Sequence, residues 1–136
     1  MTTLVTETLS DGVLTLVMDD GKANALSHEM MDQMGRGLDR AEREAQAVVL
    51  AGREGRFSAG FDLKVMMSGP DAVKPLLKKG ADLFMRLFGF GQPVVIAATG
   101  HALAGGALLA LTGDMRLVAE GPFKIGLNEV SIGMPV

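Results

Sequence analysis

Apolar and polar residues alternate through two runs at the start of the chain, 3–9 and 13–19, which are rich in Val, Thr and Leu and separated by Ser10-Asp11-Gly12. Alternation of this kind predicts half-buried strands, and Asp-Gly between them predicts a hairpin, because the turn needs positive φ. The period changes after Ser27. Met31, Met34, Leu38, Ala41 and Ala45 recur every three or four positions with charges opposite, so a helix is predicted over 27–45 with Ser27 as its N-cap. The methionine stripe Met30, Met31 and Met34 reads as core packing. Asp32/Arg36 and Asp39/Arg43 are spaced for i,i+4 ion pairs on the outer face. Residues 47–51 read as a short buried strand and 52–56 as a polar loop. A second helix is predicted over 70–88, with Pro70 in the first turn and Pro75 keeping that turn irregular. The run PVVIAAT at 93–99 predicts a fully buried strand. A glycine-spaced loop over 100–106 follows, then a short apolar helix from about Gly105 to Gly113. Three short extended segments are predicted at 115–119, 123–126 and 130–132. The order is that of an α/β domain built from repeated ββα-like units, with no internal sequence repeat and no linker.

Composition narrows the chemistry. The 136 residues carry a net charge of −3, which supplies no global field toward nucleic acid or an anionic membrane. Cysteine is absent, which excludes disulfides, thiolate catalysis and Cys-based metal sites, and two histidines, His28 and His101, are too few for a His-rich centre. Hydrophobic residues make up 48 %, enough for a packed core. The opening MTTLVTETLSDG lacks a basic and an apolar region, so it does not read as a secretory signal. The apolar stretch 93–111 is broken by glycines and polar residues and does not read as a membrane span. A soluble, cytoplasmic domain is expected.

Two glycine-bearing loops follow predicted buried strands: Arg56-Phe57-Ser58-Ala59-Gly60-Phe61-Asp62-Leu63-Lys64 and Gly100-His101-Ala102-Leu103-Ala104-Gly105-Gly106-Ala107. Small residues there let backbone approach a ligand, and one N–H from each loop converging on an oxygen makes an oxyanion hole. The same glycines also serve tight turns and helix–strand packing, and residue physics alone leaves both readings open. Glu129, between apolar neighbours, is a candidate general base. Ser58 has no nucleophile elbow around it. Lys74, Lys78 and Lys79 read as a solvated helix face, and His101 as a satisfied core histidine.

With F-S-A-G-x-D-L-K at 57–64, Ala104-Gly105-Gly106 followed by Asp114, and Lys22-Ala23-Asn24-Ala25-Leu26-Ser27, the chain resembles the crotonase superfamily of acyl-coenzyme A enzymes over essentially its whole length. The resemblance implies a spiral of ββα units. Such chains are usually nearly twice as long, so 1–136 corresponds to the N-terminal core without the family's C-terminal helical region. It also implies a thioester enolate held by two backbone donors, which fall on Phe61 and Gly105. Ala59, Asp62 and Leu63 fall on adenine-binding positions, Ala23 on the matching N-terminal contact, and Lys64 near the pantetheine or phosphates. Coenzyme A enters as part of the substrate, with no separate cofactor and no metal. Hydratases of the superfamily use two glutamates; one position is Leu108 here, the other is Glu129. A lone glutamate suits transfer of one proton between two carbons, so the resemblance points to a Δ3,Δ2-enoyl-CoA isomerase. An enoyl-CoA hydratase and a non-catalytic CoA-binding or assembly module are the alternatives. A homo-oligomer, trimer or hexamer, is implied as well.

Overall fold

The opening alternation folds as an antiparallel hairpin, β1 (Val5–Ser10) with β2 (Val13–Met18), in the computed structural model, which describes residues 2–136. Asp11 (φ 51) and Gly12 (φ 79) form the turn, both left-handed as a two-residue hairpin loop requires. The chain continues through β3 (Ala25–Leu26) and α1 (His28–Glu44), whose N-cap Ser27 accepts a hydrogen bond from the Met30 N–H at 3.1 Å. A second turn holds β4 (Ala47–Ala51), β5 (Gly55–Ser58), β6 (Gly60–Phe61), α2 (Leu63–Met66) and α3 (Pro70–Phe88). A third holds β7 (Val94–Ala98), β8 (Gly100–Leu103) and α4 (Gly105–Leu111). The fourth holds β9 (Met115–Val118), β10 (Ile125–Gly126) and a 3₁₀ turn, Glu129–Ile132.

Each turn thus lays one strand in a large sheet of order β1-β2-β4-β7-β9, with β2, β4, β7 and β9 mutually parallel. It then crosses to a short second layer, where β5, β8 and β10 pair in one small sheet and β3 and β6 in another. A helix or helical turn closes each cycle. This is the ββα spiral of an α/β fold. The core lies between the large sheet and α1 and α3, where Leu14, Leu16, Met30, Met34, Leu38, Leu50, Leu76 and Ile96 are buried. Gly37 lets α1 press on the sheet, since a Cβ there would come within 2.6 Å of Leu16 Cδ2.

Five local expectations are corrected. The loop expected at 52–56 already pairs from Gly55 as β5, and the loop expected at 100–106 is β8 running directly into α4. Residues 130–132 coil into the 3₁₀ turn, closed by Ser131 N–H donating to Asn128 O at 3.0 Å. The two i,i+4 pairs of α1 do not form, because α3 brings better-placed cations. Asp32 meets Lys79 at 2.7 Å and Asp39 meets Arg86 at 2.7 Å, while Arg36 turns to Glu29 at 3.5 Å. His101 is satisfied, but half-buried rather than in the core: its Nδ1 accepts the Lys124 N–H at 3.0 Å and its ring meets Phe123 edge-on.

Candidate active site

The site begins at a residue that forms no part of the cavity wall. Asn24 is fully buried with a left-handed backbone (φ 54). Its Nδ2 donates to Met18 O at 2.9 Å, Phe57 O at 3.1 Å and Arg56 O at 3.3 Å, tying the end of β2 to β5. Its backbone carbonyl accepts the Ser58 hydroxyl at 2.8 Å, and that Oγ in turn accepts the Gly60 N–H at 3.1 Å. Beside it, Ala59 N–H donates to Ala23 O at 2.9 Å. Asp20 locks the loop from the other end, its carboxylate accepting the Lys22, Asn24 and Ala25 N–H groups at 2.7–3.1 Å. An Asn and a Ser on adjacent turns therefore hold the strand that leads to Phe61.

In β6 the Gly60 N–H is taken by Ser58 and the Asp62 N–H by Leu26 O at 3.2 Å. Successive amides of a strand point to opposite sides, so the Phe61 N–H faces away from β3. Gly105 is the first residue of α4, and the first amides of a helix have no intrahelical acceptor. Ala104 turns the chain from β8 into α4 at φ 53, ψ −124, a conformation that L-residues rarely adopt and that costs of order 1–3 kcal/mol. The two segments touch through backbone: a Cβ on Gly60 would lie 2.9 Å from Gly105 N. A Cβ on Gly106 would strike Ser58 O, so glycine is needed for α4 to start against β5.

These segments border a cavity of about 310 Å³ whose wall includes Ala59, Phe61, Leu63, Gly105, Leu108 and Glu129. Met66, Leu77, Ala104 and residues 134–136 complete it, so the lining is largely apolar. Glu129 opens the 3₁₀ turn and is the only titratable side chain in the wall. Its Oε2 is buried and has no hydrogen-bond partner among the described residues. A carboxylate oxygen left unpaired in an apolar cavity is costly unless a ligand proton meets it. Leu108, on the first turns of α4, occupies the same cavity.

Five of the eight residues singled out from sequence therefore share one cavity: Ala59, Phe61, Leu63, Gly105 and Glu129. The other three lie behind or beside it. Ala23 backs the Ala59 peptide, and Asp62 caps α2 by accepting the Lys64 N–H at 2.9 Å. Lys64 is exposed. Asn24, Ser58 and Asp20 were missed as part of the site. The usable signal was Asn24-Ala25-Leu26-Ser27, an Asn immediately before a strand and a helix cap. Among the described residues, no group of three or more His, Asp or Glu side chains is arranged to hold a metal.

Residues 8–135 match the family model described as Enoyl-CoA hydratase/isomerase. The chain is 33 % identical over 126 residues to a probable enoyl-CoA hydratase of Bacillus subtilis, covering 90 % of this chain and 48 % of that protein. It is also 33 % identical over 128 residues to the mitochondrial enoyl-CoA delta isomerase 1 of Homo sapiens, covering 90 % and 42 %. The crystal structure of an enoyl-CoA hydratase/isomerase family protein from Pseudomonas syringae superposes with a TM-score of 0.95 at 43 % identity, over 98 % of this chain and 58 % of that one. The human mitochondrial delta3-delta2-enoyl-CoA isomerase superposes with a TM-score of 0.91 at 32 % identity, over 97 % and 54 %. The chain spans about half the length of the curated relatives it matches.

Proposed function

The chain belongs to the enoyl-CoA hydratase/isomerase family, and from that premise we propose that it shifts the double bond of a 3-enoyl-CoA to the 2-position. The thioester oxygen accepts the Phe61 and Gly105 N–H groups, which stabilise the negative charge that develops on it. Each such donor is worth roughly 10²–10³ in rate. The Glu129 carboxylate takes a proton from C2, the electron pair moves into the dienolate, and the same carboxylic acid returns the proton to C4. The double bond moves from C3–C4 to C2–C3, with no water consumed and no redox change. Ala23, Ala59, Asp62, Leu63 and Lys64 hold the coenzyme A portion, which arrives as part of the substrate, so no separate cofactor is required. The protein works as a homo-oligomer.

The observation that carries this reading is a single unpaired carboxylate in an apolar cavity with Leu108, not a second acid, in the same wall. One carboxylate suffices to move a proton between carbons; orienting and splitting water is easier with two. The similarity to human enoyl-CoA delta isomerase 1 supports the same reaction. The Bacillus subtilis relative carries a hydratase name, which keeps hydration of 2-enoyl-CoA as the second reading.

Ultraviolet absorbance of the conjugated thioester separates them. We expect absorbance to rise with 3-enoyl-CoA and to hold steady with 2-enoyl-CoA. Loss of signal from the 2-enoyl ester instead supports hydration, and silence on both supports a CoA-binding module without catalysis. Glu129→Gln keeps the shape of the site and should reduce isomerase turnover by about 10²–10⁴-fold while thioester binding persists. A Gln variant of undiminished activity removes Glu129 from the mechanism.

A further inference from the structure

The Phe61 ring lies between two glycines on different helices. Its Cδ2–Cε2 edge faces Gly105, where a Cβ would come within 3.0 and 3.1 Å of those two atoms. Another edge, Cε1 and Cζ, faces Gly80 in the middle of α3, where a Cβ would overlap those two atoms outright. Phe84, one turn along α3, stands with its ring centroid 6.0 Å away and tilted by 41°. Gly80 itself is buried, and behind it lies Met31 Sδ of α1, 3.7 Å from the same Cβ position. The ring therefore fills the gap between α3 and the first residue of α4.

We propose that the Phe61 side chain is a spacer that transmits the position of α3 to the Gly105 amide, with Gly80 as the positioning residue that lets the ring seat. The inference rests on the proposed role of the Phe61 and Gly105 amides as thioester donors. Both are attached to what the ring touches: one is its own backbone, the other belongs to the glycine against its Cδ2–Cε2 edge. A methyl group at Gly80 pushes on Cε1 and Cζ and displaces the ring away from α3, with Gly105 against the Cδ2 and Cε2 side. The donors then separate or tilt. Misplacement of about 1 Å in a catalytic constellation can cost on the order of 10²-fold in rate. Gly80 itself lies outside the cavity wall and reaches the substrate only through Phe61 and Gly105, so the effect falls chiefly on kcat.

The test uses Gly80→Ala, Phe61→Leu and the double variant. Two readouts apply: isomerase kcat and KM, and the absorbance shift of a chromophoric aryl-acryloyl thioester of coenzyme A on binding. That shift reports polarisation of the thioester carbonyl by its hydrogen-bond donors. Gly80→Ala should lower kcat roughly 10–100-fold and shrink the shift, with KM little changed; alanine's better helix propensity offsets part of the overpacking cost. Phe61→Leu keeps the N–H but lacks the ring edges, so it too should shrink the shift. In the Phe61→Leu background the Gly80→Ala change should have little further effect, since the atoms it displaces are gone; that non-additivity is the signature of the contact. Equal losses from Gly80→Ala in both backgrounds would overturn the proposal, as would a Gly80→Ala protein with the native shift. Should Gly80→Ala fail to fold, a Phe61→Leu protein that polarises the thioester as the native chain does overturns it by itself. A native chain that neither turns over the 3-enoyl ester nor shifts the chromophore refutes the underlying functional reading instead, a result distinct from all of these.

Discussion

Asn24 carries more of the site than any residue in the cavity wall. Its side chain satisfies three carbonyls from two strands, and its own carbonyl anchors the hydroxyl that fixes Gly60. Alanine there leaves buried carbonyls unpaired and forces a methyl side chain into a left-handed backbone, at a cost on the order of 3 kcal/mol. Urea denaturation should show that loss as a lower midpoint at unchanged slope; a midpoint within experimental error of the native one would mean that water replaces the amide. Asn24 was not legible as a site residue because two of its acceptors lie 32 and 33 positions away, and an Asn in a polar loop reads locally as a turn former. That Phe61, Gly105 and Glu129 belong to one cavity was legible for the opposite reason. They lie in motifs contiguous in sequence, and the glycines mark where backbone must approach backbone. What no motif could supply is the lone state of the Glu129 Oε2 and the seating of the Phe61 ring, since both are set by residues from other turns of the spiral.

Among the elements, α3 is the one whose packing decides the most, and it is tied to α1 by charge as well as by apolar contact. Lys79 reaches Asp32, and Arg86 reaches Asp39 at 2.7 Å and Glu42 at 3.1 Å while also donating to Gly35 O at 3.1 Å. Burial works to lower the Arg86 pKa, but hydrogen bonds to Asp39 and Glu42 outweigh it and hold the guanidinium above its ordinary value. A raised pKa contributes stability that is fully present below the ordinary value and is lost only as pH rises through the folded one. From the arginine side, the α1–α3 strap is therefore insensitive to pH between about 5 and 9. Arg86→Met should destabilise by about 1 kcal/mol, with a gap from the native protein that narrows as salt is added. A gap independent of salt would assign the effect to the lost Gly35 contact and the packed stem. Helix α1 was readable because its period persists for more than four turns; the pairing of its carboxylates was not, because local spacing cannot show a competing cation 47 residues on. The turn Glu129–Ile132 was misread for a related reason: Val130 and Ile132 alternate like a strand, and three residues are too few to distinguish that from a tight helical turn closed by Gly133 at φ 76.

At the scale of the molecule, the fourth turn of the spiral is the most exposed. Its apolar side chains stay open to solvent: Met115, Leu117 and Val118 on β9, Ile125 on β10, and Val130 and Ile132 on the 3₁₀ turn are all 48–74 % exposed. Leu108 and Leu111 on α4 are exposed as well. The edge strand β9 is exposed at all four positions, leaving one side of the large sheet with unpaired backbone. Exposed apolar side chains along an open sheet edge favour association with another chain. We therefore expect the scattering-derived mass in solution to rise with concentration. Leu117→Lys puts a charge in the middle of that edge and should lower the association while changing folding stability by less than about 0.5 kcal/mol, since an exposed side chain has little packing to lose. Leu50→Ala, on buried β4 of the same sheet, is the contrasting case, with a cavity cost of about 2–5 kcal/mol and no direct effect on association. If Leu117→Lys left the mass unchanged at every concentration, the β9 edge would not be the contact, and the α3 surface around Met85 and Phe88 would be the next face to charge. The two faces lie on different layers of the spiral, so one substitution in each assigns the contact.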